Sequence, residues 1–153
     1  MEESVDIRAV NFNISNKESS PSKRSSPDKY NREVNMIYEN ELVSVEVEES
    51  EIPWVKVFTQ RKIKEFSECT SEEKLEIFRI IDFTEKLMLS YFNADKINIA
   101  SFGNMLPHVH WHVMARFEQD SYFPEPMWGA KQRESQLDLP SFEVFFIQLG
   151  EQL

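Results

Sequence analysis

Residues 108–116 read His-Val-His-Trp-His-Val-Met-Ala-Arg and contain all three histidines of the 153-residue chain. Because side chains alternate between the two faces of a β-strand, a β-conformation across residues 108–112 is predicted to place His108, His110 and His112 on one face. The other face is predicted to enter a core and carries Val109, Trp111, Val113 and Ala115. Core packing alone does not explain why every histidine of the chain lies on one face of one strand. These three residues, called the histidine row below, are therefore the candidate functional element.

Three interpretations of the histidine row are open at this point. A solvated strand face is the simplest, although exposed strand positions usually carry Thr, Lys or Glu. A metal site is the second, because imidazoles two residues apart can share one cation, with Glu118 or Asp120 as the carboxylate partner. The glutamate of a cupin-type metal site is missing, since Met114 and Ala115 stand in its place. Nucleophilic catalysis is the third, because an imidazole near its pKa can act as nucleophile, acid or base.

The residues around this row predict strands and helices in separate stretches. Alternating or β-branched patterns predict strands over residues 42–47, 54–59, 96–102 and 109–116. The first two of these strands are predicted to pair as a hairpin. The order of elements predicts an α+β fold, in which a long helix and a C-terminal helix cover an antiparallel sheet.

Both helices have recognisable starting signals. Thr70 and Glu73 form a capping box, which predicts a helix that ends near Phe92. The apolar face of that helix is predicted to include Leu75, Phe78, Ile81 and Leu89. A last helix is predicted to start at about Ser141, directly after Pro140. Its apolar residues are Phe142, Phe145, Phe146 and Leu149.

The composition excludes several classes of protein. A formal charge of −10 disfavours nucleic acid and anionic membranes as partners, since both require a basic surface. No apolar run approaches the roughly 18–20 residues of a membrane-spanning helix. No secretory signal is expected behind the acidic start at Met1, and the lone Cys69 suits the reducing cytosol. The chain has only three glycines, so its sequence contains neither a Gly-rich phosphate-binding loop nor a dinucleotide-binding fingerprint.

Residues 1–35 are expected to lie outside the folded domain, which is assigned to residues 36–153. The stretch from Ser15 to Asn35 is rich in Ser, Asn, Lys and Pro. Such a composition buries too little apolar surface to offset the entropy of ordering, so the sequence predicts a disordered extension. Ordered patterning begins directly after Met36, and an alternative is that the native chain starts there.

The segments on both sides of the histidine row carry a resemblance to a known family. His-Val-His-Trp-His-Val-Met at residues 108–114 matches a pattern in which histidines alternate with apolar residues and two more apolar residues follow. Residues 98–101 read Asn-Ile-Ala-Ser, and residues 123–129 read Phe-Pro-Glu-Pro-Met-Trp-Gly. With these three segments, the chain from Met36 to its end resembles the histidine-triad (HIT) family of nucleotide hydrolases and transferases, and most closely its small bacterial members.

The resemblance implies a role for each residue of the site. His110 would attack the α-phosphorus of a nucleotide and form a covalent nucleotidyl-imidazole. His112 would bind the phosphate oxygens, and the backbone carbonyl of His108 would fix the tautomer of His110. The residues implied to bind phosphate or nucleotide are Asn104, Gly103 and Asn98. The resemblance also implies hydrolysis or nucleotidyl transfer at a nucleotide phosphoanhydride or phosphoramidate, as in a dinucleoside polyphosphate hydrolase. It implies no metal, no cofactor and a homodimer. The lone Cys69 leads us to expect a cytoplasmic protein.

One departure from the family concerns a fourth histidine. Many relatives carry it upstream, in the segment that corresponds to residues 61–64, and this chain has none there. Arg61 or Lys62 could supply a cation to the phosphate instead, and the alternative is a solvated basic loop.

Three residues after the histidine row are further candidates. Trp128 could close over the site, contact a partner subunit or pack in the core. Lys131 and Arg133 could reach phosphate or lie on the surface. Two alternative functions also stay open, a non-catalytic nucleotide-binding domain and a metal-dependent protein that uses the three histidines.

Overall fold

The computed structural model describes residues 35–153, so the extension predicted over residues 1–35 lies outside the described residues apart from Asn35. The strands are β1 (Met36–Glu39), β2 (Val43–Val47), β3 (Trp54–Thr59), β4 (Lys96–Ala100) and β5 (His110–Arg116). Within the described residues they form one antiparallel sheet in the order β1-β2-β3-β5-β4. The helices are α1 (Ser71–Phe92) and α2 (Phe142–Gln152), and a short 3-10 helix (Phe66–Glu68) precedes α1. The predicted α+β fold is confirmed.

The pairing of the strands places β5 inside the sheet. The hairpin predicted for β2 and β3 is confirmed, with Val45 opposite Val57. β5 pairs with β3 on one side and with β4 on the other. Neighbours on both sides hold the register of β5 and therefore the direction of its side chains. The sequence did not reveal β1, a four-residue strand with a register shift between Met36 and Tyr38, because so short and irregular a strand shows no alternation.

The capping box predicted at the start of α1 is confirmed. The hydroxyl of Thr70 accepts a hydrogen bond from the N–H of Glu73 at 3.1 Å. The Glu73 carboxylate accepts one in return from the N–H of Thr70 at 2.8 Å. The helix ends at Phe92, and the following residue, Asn93, has a φ of 51° in the left-handed region that often terminates helices.

The face of α1 that enters the core differs from the prediction. Of the four residues predicted on the apolar face of this helix, Ile81 is buried, whereas Leu75, Phe78 and Leu89 are 71%, 49% and 40% exposed. The buried residues of α1 are Glu73, Ile77, Ile80, Ile81, Thr84, Met88 and Phe92. Apolar residues occur on more than one face of this helix, and its spacing alone does not say which stripe packs against the sheet.

The core lies between α1 and one face of the sheet. That face supplies Val55, Val57, Val113 and Ala115, all of them fully buried. The alternation of β5 therefore places the core residues on the side that the sequence predicted. The histidines lie on the opposite face. No helix within residues 35–153 has both the length and the apolar character needed to cross a membrane.

The C-terminal helix packs at the β1 edge of the sheet. The helix begins next to Ser141, as predicted, and Ser141 caps it by accepting a hydrogen bond from the N–H of Val144 at 3.3 Å. Three of its predicted apolar residues are buried, namely Phe145, Phe146 and Leu149, and Phe142 packs partly buried against them. Gly150 lies so close to the backbone carbonyl of Ile37 that an added Cβ would overlap the carbonyl oxygen. Glycine therefore permits the close approach of this helix to β1.

Candidate active site

His110 and His112 line an open pocket on the face of β5 opposite the core. The pocket has a volume of about 400 Å³. Its other walls are Phe102, Gly103, Asn104, Met105, Leu106 and Trp128. The structure thus brings together two of the predicted histidines with Gly103 and Asn104, and Trp128 joins them from the loop that follows β5.

The histidine side chains are covered rather than solvated. His108, His110 and His112 are only 8%, 7% and 8% exposed. Phe58 on β3 covers the row, because its ring stacks on the ring of His110 at a centroid distance of 4.9 Å and an interplanar angle of 21°. The interpretation of the row as a solvated strand face is therefore wrong.

His108 does not share the pocket with the other two rings. β5 begins at His110, so His108 precedes the strand rather than extending its alternation. Its Nε2 lies 2.7 Å from the carbonyl oxygen of Thr59, and the ring does not line the pocket. Since a carbonyl only accepts, Nε2 of His108 carries a proton and donates it there. His108 was predicted to lie on the same face as the other two histidines, but its ring lies outside the pocket that they line.

The backbone of His108 determines the tautomer of His110. Nδ1 of His110 lies 2.6 Å from the carbonyl oxygen of His108. Because that oxygen can only accept, Nδ1 must carry the proton, and the lone pair of a neutral ring lies on Nε2. Within residues 35–153, no hydrogen bond occupies this Nε2. The ring therefore offers an unprotonated nitrogen at the pocket.

His112 has the opposite tautomer. The indole Nε1–H of Trp54 on β3 donates a hydrogen bond to Nδ1 of His112 at 3.0 Å. Burial, followed by the charges of His110 and Lys56, lowers the pKa of His112 from 6.5 to about 4. The neutral ring therefore carries its proton on Nε2. Two neighbouring imidazoles, with ring centroids 4.9 Å apart, thus present a lone pair and an N–H to the same pocket.

Sequence reasoning missed Trp54 as a residue of the site. It was predicted only as the first residue of a strand. Its part in the site depends on the register of β3 against β5, which pairs Lys56 with His112 and so places Trp54 on the same face. Two-residue alternation from Lys56 could have indicated that face, but only once the pairing of β3 with β5 was known.

Aromatic rings form the outer wall of the pocket. The ring of Trp128 lies edge-on to His112 at 5.0 Å, to Trp54 at 5.3 Å and to Phe102 at 4.7 Å. Trp128 is nevertheless 49% exposed. It therefore borders the opening of the pocket rather than the core, and the core role considered for it from the sequence is wrong.

A buried ion pair organises the loop that carries Trp128. Arg116, at the end of β5, donates to both carboxylate oxygens of Asp120, at 2.8 and 3.1 Å. Both side chains are almost completely buried. The same carboxylate accepts hydrogen bonds from the backbone N–H groups of Phe117, Tyr122 and Phe123. Burial alone would raise the pKa of Asp120, but these hydrogen bonds outweigh it and lower that pKa.

Asn98 contributes to this ion-pair network and not to the pocket. Its side-chain oxygen accepts a hydrogen bond from Arg116 at 2.7 Å, and it does not line the pocket. The role of Asn98 in nucleotide binding, implied by the family resemblance, has no support in this arrangement. Its amide supports the guanidinium that holds the loop after β5.

The predicted cations are engaged elsewhere. Arg61 forms two hydrogen bonds of 2.7 Å with the buried carboxylate of Glu73, and chiefly these bonds lower the pKa of Glu73 to about 2. Lys62 is exposed and does not line the pocket. Lys131 pairs with Glu134, and Arg133 donates to the backbone carbonyls of Asp120 and Phe123. None of the described side chains that line the pocket is Lys or Arg.

The carboxylates considered for a metal site do not face the histidine pair. Both oxygens of Asp120 are bound by Arg116 and by backbone N–H groups, and Glu118 is exposed. Over the part of the chain that the structure describes, no three His, Cys, Asp or Glu side chains are arranged to hold a metal ion. The arrangement therefore gives no support to the metal-dependent alternative.

Comparisons with known proteins agree with the fold and with the histidine strand. A family model described as HIT domain matches residues 29–119. A histidine triad (HIT) protein from Sinorhizobium meliloti 1021 is 27% identical, with a TM-score of 0.64 over 83% of this chain and 96% of that chain. A histidine triad protein from Marinobacter aquaeolei VT8 is 26% identical, with a TM-score of 0.65 over 81% and 95%.

A more distant solved structure is similar in fold alone. It is Plasmodium falciparum diadenosine triphosphate hydrolase in complex with Cyclomarin A, 19% identical, with a TM-score of 0.51 over 89% of this chain and 84% of that chain. Comparison with curated proteins gives no significant match.

Proposed function

The chain belongs to the HIT domain family, whose model covers more than half of it, and on this premise we propose that it cleaves a nucleotide phosphoanhydride or phosphoramidate through a covalent nucleotidyl-histidine at His110. The observation that carries the proposal is the 2.6 Å hydrogen bond between Nδ1 of His110 and the carbonyl of His108. It keeps the proton on Nδ1 and leaves the Nε2 lone pair at the pocket, which is the state that a nucleophilic imidazole requires.

The first chemical step forms the covalent intermediate. The lone pair on Nε2 of His110 bonds to the α-phosphorus, while the bond from phosphorus to the leaving group breaks and its electron pair departs with that group. The leaving group takes a proton from water. The Nδ1 proton of His110 stays in its hydrogen bond to the carbonyl, so the positive charge of the imidazolium is stabilised by that oxygen.

The second step releases the product. Water attacks the phosphorus, the P–N bond breaks, and its electron pair returns to Nε2 of His110. The proton lost by the attacking water passes to solvent, and a nucleoside monophosphate leaves the pocket. An alcohol or a second phosphate in place of water would give nucleotidyl transfer by the same route.

Two side chains are proposed to stabilise the charge on the phosphoryl oxygens. His112, whose Nε2 carries the proton, lies beside the nucleophile, and Asn104 lines the same pocket. Donors already oriented towards the oxygens stabilise the transition state without reorganisation. We propose that these neutral donors act in place of a cation, since no Lys or Arg is among the described residues that line the pocket.

The lining of the pocket bears on the choice between the two substrate classes. Phe102, Met105, Leu106 and Trp128 form apolar walls, and the chain as a whole carries a charge of −10. A leaving group with further phosphates would bring more negative charge to a site without a Lys or Arg wall among the described residues. We therefore expect a nucleoside phosphoramidate to be a better substrate than a dinucleoside polyphosphate, the class to which the name of the Plasmodium enzyme refers.

The remaining assignments rest on the family and on single observations. We propose a homodimer, for which β4 offers an unpaired outer sheet edge and the half-exposed Ile99. We propose a cytosolic protein, in keeping with the buried free thiol of Cys69. Residues 36–153 are proposed as the catalytic domain and residues 1–35 as an extension of it. Analytical ultracentrifugation tests the dimer.

A substrate panel tests the catalytic proposal. Nucleoside phosphoramidates and dinucleoside polyphosphates are incubated with the protein, and release of nucleoside monophosphate is measured by chromatography. His110→Ala should lower kcat/KM by at least about 10³-fold, because the variant has no nucleophile. Lys131→Ala, which alters an exposed pair outside the pocket, is the matched control and should keep full activity.

The outcomes separate the alternatives. Equal turnover by His110→Ala and wild type would refute the nucleophile. Tight nucleotide binding by calorimetry without monophosphate release from any substrate would favour a non-catalytic binding domain. Loss of turnover in EDTA, restored by a divalent cation, would favour the metal-dependent function.

A further inference from the structure

We propose that Trp54 is a positioning residue that fixes His112 as a neutral imidazole with its proton on Nε2, so that His112 donates a hydrogen bond to the substrate phosphate and does not act as the general acid. This inference rests on the proposed function, because it assigns the role of His112 in the same pocket. It concerns a residue outside the histidine strand.

The geometry of the indole leaves one arrangement of protons. Nε1 of Trp54 lies 3.0 Å from Nδ1 of His112, and the two rings meet edge to face at 5.5 Å and 67°. An indole N–H can only donate, so Nδ1 of His112 must accept through its lone pair. A proton on this Nδ1 would place two N–H groups head to head at hydrogen-bond distance. The neutral Nε2–H form of His112 is the one that fits.

The groups around His112 also disfavour its cation. On β3 the charged group is Lys56, which stands opposite His112 and pairs with Glu48 at 2.5 Å. On β5 the neighbouring ring is that of His110, and β4 places the apolar Ala100 opposite His112. The loop residues that contact the ring are the aromatic Phe102 and Trp128. No described carboxylate forms an ion pair with His112, so nothing there stabilises an imidazolium.

The proton arrangement determines what His112 can do in the reaction. Its Nε2–H can donate a hydrogen bond to a phosphoryl oxygen and strengthen that bond as charge develops. It cannot give this proton to the leaving group without becoming an anionic imidazolate, which has no stabilising partner in the pocket. The leaving group is therefore protonated by water, and the pH dependence of turnover near neutrality reports other groups.

Nitrogen NMR of the protein labelled with ¹⁵N-histidine tests the tautomer directly. At neutral pH, His112 of the wild type should show an unprotonated Nδ1 and a protonated Nε2, and this pattern should persist on acidification to about pH 5. The assignment is made with His112→Gln. A protonated Nδ1 on His112 of the wild type at neutral pH would overturn the proposal without any variant being required.

Trp54→Phe removes the indole N–H and keeps an aromatic ring. We expect a mixture of both His112 tautomers in this variant, and a pKa of His112 in the NMR titration that lies above the wild-type value, because the indole N–H favours the neutral ring. We also expect kcat to fall about tenfold at neutral pH with a smaller change in KM, the size of one lost hydrogen bond. Trp128→Phe is the matched control, because Trp128 contacts the same ring edge-on at 5.0 Å without a hydrogen bond to it. Its His112 tautomer should match that of the wild type.

The results distinguish this inference from the proposed function. If Trp54→Phe keeps the wild-type tautomer and the wild-type pKa of His112, the positioning role is refuted even when turnover through His110 is intact. If the tautomer changes as expected while no substrate of the panel is cleaved, the proposed function fails and the role of Trp54 in fixing His112 stands.

Discussion

Replacing Asp120 with alanine should destabilise the protein strongly and release the loop that carries Trp128. The side chains of Asp120 and Arg116 are 0% and 2% exposed, so the substitution leaves a buried guanidinium without its carboxylate. Breaking a buried ion pair in this way lowers the free energy of unfolding by about 3–5 kcal/mol. Three backbone N–H groups lose their acceptor as well, which places the expected cost at the upper end of that range.

Urea denaturation followed by circular dichroism measures this cost. In a chain of 153 residues, a loss of stability at the upper end of that range corresponds to a fall in Tm of about 10 °C or more. Lys131→Ala, which removes an exposed ion pair, should change stability by less than about 0.5 kcal/mol. The double variant Arg116→Met with Asp120→Leu should cost less than Asp120→Ala alone, because it leaves no unpaired buried charge. A loss below about 1 kcal/mol for Asp120→Ala would refute the stabilising role of the ion pair.

Three further predictions concern the stability of the fold. Gly150→Ala should lower the free energy of unfolding by about 1–3 kcal/mol, because the added methyl group meets the carbonyl of Ile37. An unchanged free energy of unfolding in urea denaturation would contradict the close packing of α2 on β1. Thr70→Ala should lower the free energy of unfolding by about 1 kcal/mol, because it removes the cap of α1. Thr70→Ser keeps a hydroxyl at this position and should retain most of that stability. Because the pKa of His112 falls from 6.5 to about 4 on folding, the unfolded chain binds more protons between these pH values. The free energy of unfolding should therefore decrease by up to about 3 kcal/mol as the pH drops through that window, and His112→Gln should remove this part of the pH dependence.

The elements that local patterns specify could be predicted from the sequence. The alternation in β2 and β5 and the capping box at Thr70 each depend on neighbouring residues, and the structure places them as predicted. The core face of α1 depends instead on which of several apolar stripes meets the sheet. Leu75 and Phe78 fit a helical period as well as Ile77 and Ile81 do, and only the packing of α1 on the sheet decides between them.

The candidate site was partly predictable for the same reason. His110, His112 and Asn104 lie in one stretch of chain, so their common pocket follows from a strand and the segment that leads into it. The partners of the charged residues depend on distant parts of the chain. Arg61 pairs with Glu73 at the start of α1 rather than with a phosphate site, a contact that requires the tertiary fold.

The same limit explains what the sequence did not reveal about the histidines. Strand alternation was extended to His108, but the strand begins only at His110, and the ring of His108 turns to Thr59 on β3. Trp54 meets His112 only because β3 and β5 are neighbours in the sheet, although many residues separate them in the sequence. Strand order is a property of the whole fold, and no motif in either segment encodes it.

The covalent role of His110 is tested most directly by trapping the intermediate. The protein is mixed with a nucleotide substrate, and the reaction is quenched at alkaline pH within a single turnover. The protein is then digested, and the mass of the peptide that contains His110 is measured by mass spectrometry. We predict the added mass of one nucleotidyl group on His110, formed before the nucleoside monophosphate appears and absent in His110→Ala. Turnover without any adduct, or an adduct carried by another residue, would contradict the proposed mechanism.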